Sequence, residues 1–169
     1  MWRALLVGFT LLTACSTTVP SRNHYVDDGR EDERNVLGGF DFQSQSPLEL
    51  IETLKAGASE LKRRGIKFTN FGVAGTHYGW VRAQDIPALI ALLDSNEPCQ
   101  PVVSSFSSSL TYELSTVGHE AAYLIEGFRR GRYPLQVSSL SWKQSPSEQR
   151  DFDAWCERFL KTYKLRPHV

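Results

Sequence analysis

The stretch from Asp85 to Pro134 decides the fold, because it reads as three helices separated by breaks. It opens with Asp85-Ile-Pro-Ala-Leu-Ile-Ala-Leu-Leu93, an apolar run with a capping residue before it and proline in its first turn. It closes with Ser115-Thr-Val-Gly-His-Glu-Ala-Ala-Tyr-Leu-Ile-Glu-Gly-Phe-Arg-Arg-Gly131, which begins with a capping hydroxyl and ends with cations and glycine. Both runs predict helices that bury their apolar faces against each other.

The sequence between these two runs predicts a weaker middle helix. Val102, Val103, Phe106 and Leu110 recur at the spacing of one helix face. Asn96, Pro98 and Pro101 end the preceding helix, and Tyr133-Pro134 ends the last one.

Two capping boxes mark the helices on either side of this stretch. Ser46-Pro47-Leu48-Glu49 predicts a helix that buries a leucine-rich stripe and ends at Gly65. Ser145-Pro146-Ser147-Glu148 predicts a closing helix whose buried stripe is Phe152, Trp155, Cys156, Phe159, Leu160 and Tyr163.

One pair of segments resembles a known family. Trp80–Asp94, followed by Ser115–Ile125, is similar to a degenerate HEAT-type repeat, in which a leucine-rich helix precedes a G-x-E-A-A-x-x-L helix. The matching residues in the second helix are Gly118, Glu120, Ala121, Ala122 and Leu124. The resemblance departs in its long linker and in the absence of a second copy. It implies a mainly α, compact domain of antiparallel helix pairs at 47–169, with an irregular or short-strand segment around 66–82.

Composition argues against one class of partner. The chain has 19 basic and 19 acidic residues, so it lacks the basic excess of a nucleic-acid-binding domain. We therefore expect no nucleic-acid partner.

The N-terminus reads as a secretory signal. Arg3 supplies a positive charge, and Ala4 to Leu12 is an apolar run that rises only about 14 Å as a helix, too short to cross a membrane. Leu12-Thr13-Ala14-Cys15 resembles the lipobox of bacterial lipoproteins. That resemblance implies cleavage after residue 14 and lipidation of Cys15, and Ser16 favours the outer membrane. The alternatives are an ordinary secretory signal with a chance cysteine, or a buried apolar helix.

Residues 15–46 read as a tether between the lipidated cysteine and the domain. They contain many turn-forming residues and the mixed-charge run Asp27–Arg34, whose spacing lacks the order of a calcium-binding loop. Phe40 and Phe42 are expected to tuck under the edge of the domain.

The loop at 76–80 is the best candidate for contact with a partner. His77, Tyr78 and Trp80 place three rings in a glycine-flexed segment, and such loops often carry function. The alternative is that Tyr78 and Trp80 plug the end of the helical stack.

Cys99 and Cys156 are the two thiols that remain once Cys15 is lipidated. An oxidising compartment permits a disulfide between them, which would join the closing helix to the core. The alternative is two buried free thiols.

Motifs for catalysis are missing from the sequence. His119-Glu120 has no second histidine at i+4, so it does not form a His-Glu-x-x-His zinc site, and no nucleophile elbow or phosphate loop is present. We therefore expect no metal, no cofactor and no enzymatic activity. Glu120 is expected to complement the dipole of its helix.

Three function classes follow from these features. The favoured one is a membrane-anchored periplasmic module that binds a protein, similar to immunity lipoproteins or to accessory lipoproteins of envelope assembly. The others are a structural envelope lipoprotein without a discrete site and an unrecognised hydrolase.

Overall fold

A computed structural model of the chain describes residues 40–66, 70–104 and 113–164. Four α-helices lie in these ranges: α1 (Pro47–Arg64), α2 (Ile86–Ile90), α3 (Val117–Arg129) and α4 (Pro146–Lys164), with a 3-10 turn at Ser139–Ser141. None of them combines the length and apolar character needed to cross a membrane.

Six short strands pair two by two. The strands are β1 (Phe71–Val73), β2 (His77–Tyr78), β3 (Pro98–Cys99), β4 (Val102–Ser104), β5 (Ser115–Thr116) and β6 (Arg132–Tyr133). The pair β1–β4 is parallel, whereas β2–β6 and β3–β5 are antiparallel. The last two pairs place β5 and β6 at opposite ends of α3.

The predicted mainly α, HEAT-like fold is wrong. The described residues are 50% helical and 12% strand, which is a mixed α/β arrangement. The predicted middle helix fails at its first residues, because Val102–Ser104 is strand β4, paired with Phe71–Val73. The β-branched side chains of Val102 and Val103 favour this extended conformation. Phe106 and Leu110 lie outside the described residues.

The flanking helices begin where their capping boxes predict. The Ser46 hydroxyl accepts from the Glu49 N–H, and the Glu49 carboxylate accepts from the Ser46 N–H at 2.6 Å. Gly65 ends α1 with a φ of 68°, a left-handed conformation that glycine adopts readily. The same reciprocal bonds join Ser145 and Glu148 at the start of α4.

Helix α3 is the centre of the core. Ala121, Tyr123, Leu124 and Ile125 are fully buried between the other elements. Its cap is Thr116 rather than Ser115, since the Thr116 hydroxyl accepts from the His119 N–H at 3.2 Å. The helix start lies against the turn that follows α2: a Cβ added at Gly118 would be 2.2 Å from the Leu93 carbonyl oxygen.

Candidate functional site

The predicted contact loop forms strand β2, which splits its side chains between two faces. Successive residues of a strand point to opposite sides. His77 pairs with Tyr133, which is buried, whereas Tyr78 pairs with Arg132 and is 77% exposed. Among the described residues, Tyr78 is the most exposed large apolar side chain.

His77 and Trp80 belong to an aromatic cluster of five rings: Phe40, Phe42, His77, Trp80 and Tyr133. The rings of Phe42 and His77 stack with centroids 3.8 Å apart. The Trp80 Nε1–H donates to the Gln45 carbonyl at 2.9 Å. Trp80 therefore packs inside the protein, as the plug interpretation has it, while Tyr78 remains available for contact with a partner. Phe40 and Phe42 pack against the core as expected, so the packed part of the chain includes residues before Pro47.

A small cavity of about 120 Å³ lies beside β2 and β6. His77, Phe128, Arg132 and Tyr133 are among its lining residues. Strand β6 comes close to α3 at this point, because a Cβ at Gly127 would lie 3.0 Å from the Arg132 carbonyl oxygen. Glycine at 127 thus lets the β2–β6 pair sit directly on the end of α3.

An aromatic groove of about 380 Å³ lies next to this cavity. Phe128 lines both spaces. The other groove residues come from the start of the α2 region and from the second half of α4: Ala83, Trp155, Arg158, Phe159, Thr162 and Tyr163. The centroids of Trp155 and Phe159 are 5.1 Å apart, and each also faces Phe128.

We call the two spaces and the exposed ring of Tyr78, which lines neither of them, the aromatic–arginine surface, and define it by Tyr78, Phe128, Arg132, Trp155, Arg158 and Phe159. Tyrosine, tryptophan and arginine are the residue types most enriched at binding hot spots. Sequence reasoning found Tyr78 but missed the rest. The stripe on α4 predicts a closing helix that packs back on the domain, and only the packing shows that Trp155 and Phe159 remain partly exposed.

Arg129 fixes the position of α4 against α3. Its guanidinium lies 5.5 Å from the centre of the Trp155 ring and 5.7 Å from that of Phe152. The same side chain pairs with the Glu126 carboxylate at 2.8 Å. Cation–π contacts of this kind hold the aromatic wall of the groove in place.

A second, more polar groove of about 590 Å³ surrounds His119. Its lining includes Asp94, Trp142, Lys143 and Asp153. The His119 Nε2 lies 2.8 Å from the Ser139 carbonyl oxygen, so Nε2 carries the hydrogen. Within 40–66, 70–104 and 113–164, no three His, Cys, Asp or Glu side chains are arranged to hold a metal ion.

The buried carboxyl of Glu120 is a feature that sequence reasoning missed. Instead of facing solvent near the helix end, Glu120 is only 1% exposed. Burial raises its pKa to about 7, although the Ser115 and Ser139 hydroxyls and the Val102 N–H lie close enough to lower it somewhat. Among the described residues, neither carboxylate oxygen has a partner with hydrogen-bonding geometry. The Ser115 and Tyr133 hydroxyls are likewise buried and have no such partner within the described ranges.

Cys99 and Cys156 are free, buried thiols in this structure, and no bond joins them. Burial raises the pKa of both, that of Cys156 to about 11. Cys15, the predicted lipidation site, lies outside the described residues.

No protein-family model, curated protein sequence or solved structure matches this chain. Its function is therefore argued from the site itself.

Proposed function

We propose that this protein is a membrane-anchored periplasmic lipoprotein that binds another protein through the aromatic–arginine surface. The anchor is Cys15, which ends the lipobox-like Leu12-Thr13-Ala14-Cys15. The resemblance to immunity and envelope-assembly lipoproteins suggests a partner in the periplasm, with the outer membrane as the anchoring site.

One observation carries the binding proposal: Tyr78 is 77% exposed and pairs with Arg132, which lines a cavity next to an aromatic groove. Monomeric proteins tend to bury rings of this size or to leave them isolated on the surface. Here the strand partner of the exposed ring, Arg132, lines the cavity next to a concave, half-buried aromatic wall. That combination is typical of a protein-interaction site.

A photo-reactive side chain at position 78 tests the proposal in intact cells. We expect it to form one discrete protein adduct. The matched control is position 114, where Leu114 is 41% exposed at the other end of α3, roughly 20 Å away by helix rise. Adducts from both positions, or from neither, would contradict the proposal.

Replacement of Tyr78 separates binding from folding. Tyr78→Ala should weaken the interaction by at least about tenfold, as expected for a hot-spot side chain, and leave the far-UV circular dichroism unchanged. Trp80→Ala should instead lower the melting temperature, because Trp80 packs in the aromatic cluster. A Tyr78→Ala protein that unfolds would support the plug interpretation for Tyr78 as well.

A further inference from the structure

The charges along the aromatic–arginine surface restrict the chemistry of its partner. The residues that line the groove and the adjoining cavity include Arg132 and Arg158 but no aspartate or glutamate. Neither arginine forms an ion pair with a carboxylate of residues 40–66, 70–104 or 113–164. By contrast, Arg129 and Arg130 both pair with Glu126, one turn away on the same helix.

We propose that the partner presents an acidic, amphipathic segment to this surface. A large apolar side chain of that segment enters the groove lined by Phe128, Trp155 and Phe159, and carboxylates on either side of it pair with Arg132 and Arg158. This inference rests on the proposed protein-binding function and specifies its partner.

The groove is large enough, and its walls are apolar enough, to hold one inserted apolar side chain. Its volume of about 380 Å³ exceeds what a single leucine or phenylalanine needs, and its walls are the rings of Phe128, Trp155, Phe159 and Tyr163. A guanidinium at the rim of such a groove can bind a carboxylate with two parallel hydrogen bonds, which fixes orientation as well as charge.

An anionic membrane is a less suitable occupant. The rings form a concave wall instead of a protruding apolar face. The exposed face of α4 also carries Asp151, Asp153 and Glu157, which anionic lipid would repel.

Two synthetic helical peptides test the proposal. They share one face of leucine and phenylalanine, and the polar face carries glutamates in one peptide and lysines in the other. Binding to the full chain with Cys15→Ser is followed by fluorescence anisotropy. We expect the glutamate peptide to bind at least about tenfold more tightly than the lysine peptide, with a preference that salt weakens.

Charge reversal identifies the residues responsible. The double variant Arg132→Glu/Arg158→Glu should reverse the preference between the two peptides. The control Lys62→Glu/Lys143→Glu makes the same change in net charge at two exposed positions away from the surface, and it should keep the preference. Circular dichroism and thermal melting confirm that each variant is folded.

Several results would overturn the proposal: equal binding of the two peptides, no binding of either, or a preference unaffected by Arg132→Glu/Arg158→Glu. Binding of phosphatidylglycerol vesicles in place of the peptides would assign the surface to lipid. Peptide binding that appears only after Asp27, Asp28, Glu31, Asp32 and Glu33 are neutralised would assign it to the chain's own acidic run.

The photo-crosslinking experiment distinguishes this inference from the proposed function. If the adduct at position 78 forms and persists in Arg132→Glu/Arg158→Glu, the protein-binding function stands and the acidic partner is wrong. If no adduct forms at all, the proposed function itself fails.

Discussion

Glu120 should make the stability of the protein depend on pH near neutrality. Burial raises its pKa from 4.5 to about 7, so the folded protein holds this proton more tightly than the unfolded chain does. The stabilisation is therefore complete below about pH 4.5 and is lost as the pH rises through about 7. A change of this size corresponds to roughly 3 kcal/mol in the free energy of unfolding.

Glu120→Gln removes the titrating group and should flatten that part of the profile. Urea unfolding between pH 4.5 and 8 measures it, and the gain in stability over wild type should grow as the pH rises. Glu157→Gln, an exposed glutamate on α4, is the control and should follow wild type. If the free energies of unfolding of Glu120→Gln and wild type changed in parallel with pH, Glu120 would not be the source of the pH dependence.

Cys99 and Cys156 should react with alkylating reagents only after unfolding. Both are buried, and burial raises the pKa of each thiol, so little thiolate is available in the folded state. In the Cys15→Ser chain, mass spectrometry should find two labelled thiols after unfolding without reductant. The absence of label at both positions would instead establish the disulfide that the sequence suggested.

The sequence predicts individual residues correctly where their hydrogen-bond partners are close along the chain, as at the helix caps. Ser46, Ser145 and Gly65 cap their helices because their partners lie within a few residues along the chain. Glu120 could not be placed in this way. Whether a carboxyl near the start of a helix faces water or the core depends on which distant elements pack against it.

At the scale of elements, the close packing of α3 on the turn that follows α2 should make Gly118 intolerant of any side chain. In Gly118→Ala the new Cβ would meet the Leu93 and Ser95 carbonyl oxygens at 2.2 and 2.9 Å, and backbone atoms cannot move aside cheaply. We expect a loss of about 1–3 kcal/mol in the free energy of unfolding, as for other overpacked sites.

Gly72→Ala is the matched control, since a Cβ there has no described atom within 4 Å and Gly72 is exposed in β1. Its effect should stay within about 0.5 kcal/mol. Chemical denaturation of both variants decides the matter. Equal stabilities would show that the start of α3 can shift away from Leu93.

The predicted HEAT-like fold is wrong, although the two helices that suggested it are in contact. Gly118 lies against the turn that follows α2, at Leu93 and Ser95. However, α2 has only five residues, and the long linker after it contributes strands β3 and β4. Pairing of β4 with β1, about 30 residues earlier in the chain, leaves no signal in a local periodicity.

For the whole molecule, we predict that Cys15 is lipidated and that this modification holds the protein on the membrane. Metabolic labelling with a fatty acid, followed by membrane fractionation, should find label on the wild type. Cys15→Ser should be unlabelled and released into the soluble fraction, because no described helix provides an alternative anchor. A wild-type protein without label would contradict the prediction.

The contact between Phe40 and Trp80, with ring centroids 5.8 Å apart, limits how far from the membrane the proposed binding surface can lie. Phe40, the first described residue, packs against Trp80, two residues after Tyr78, so the predicted tether ends close to the proposed binding surface. Residues 15–40 span at most about 90 Å even when fully extended. If Cys15 is lipidated as we propose, Tyr78 stays within this distance of the membrane surface, and confining two proteins to one surface raises their local concentration. A partner attached to the same membrane would then be captured far more often than one that diffuses freely across the periplasm.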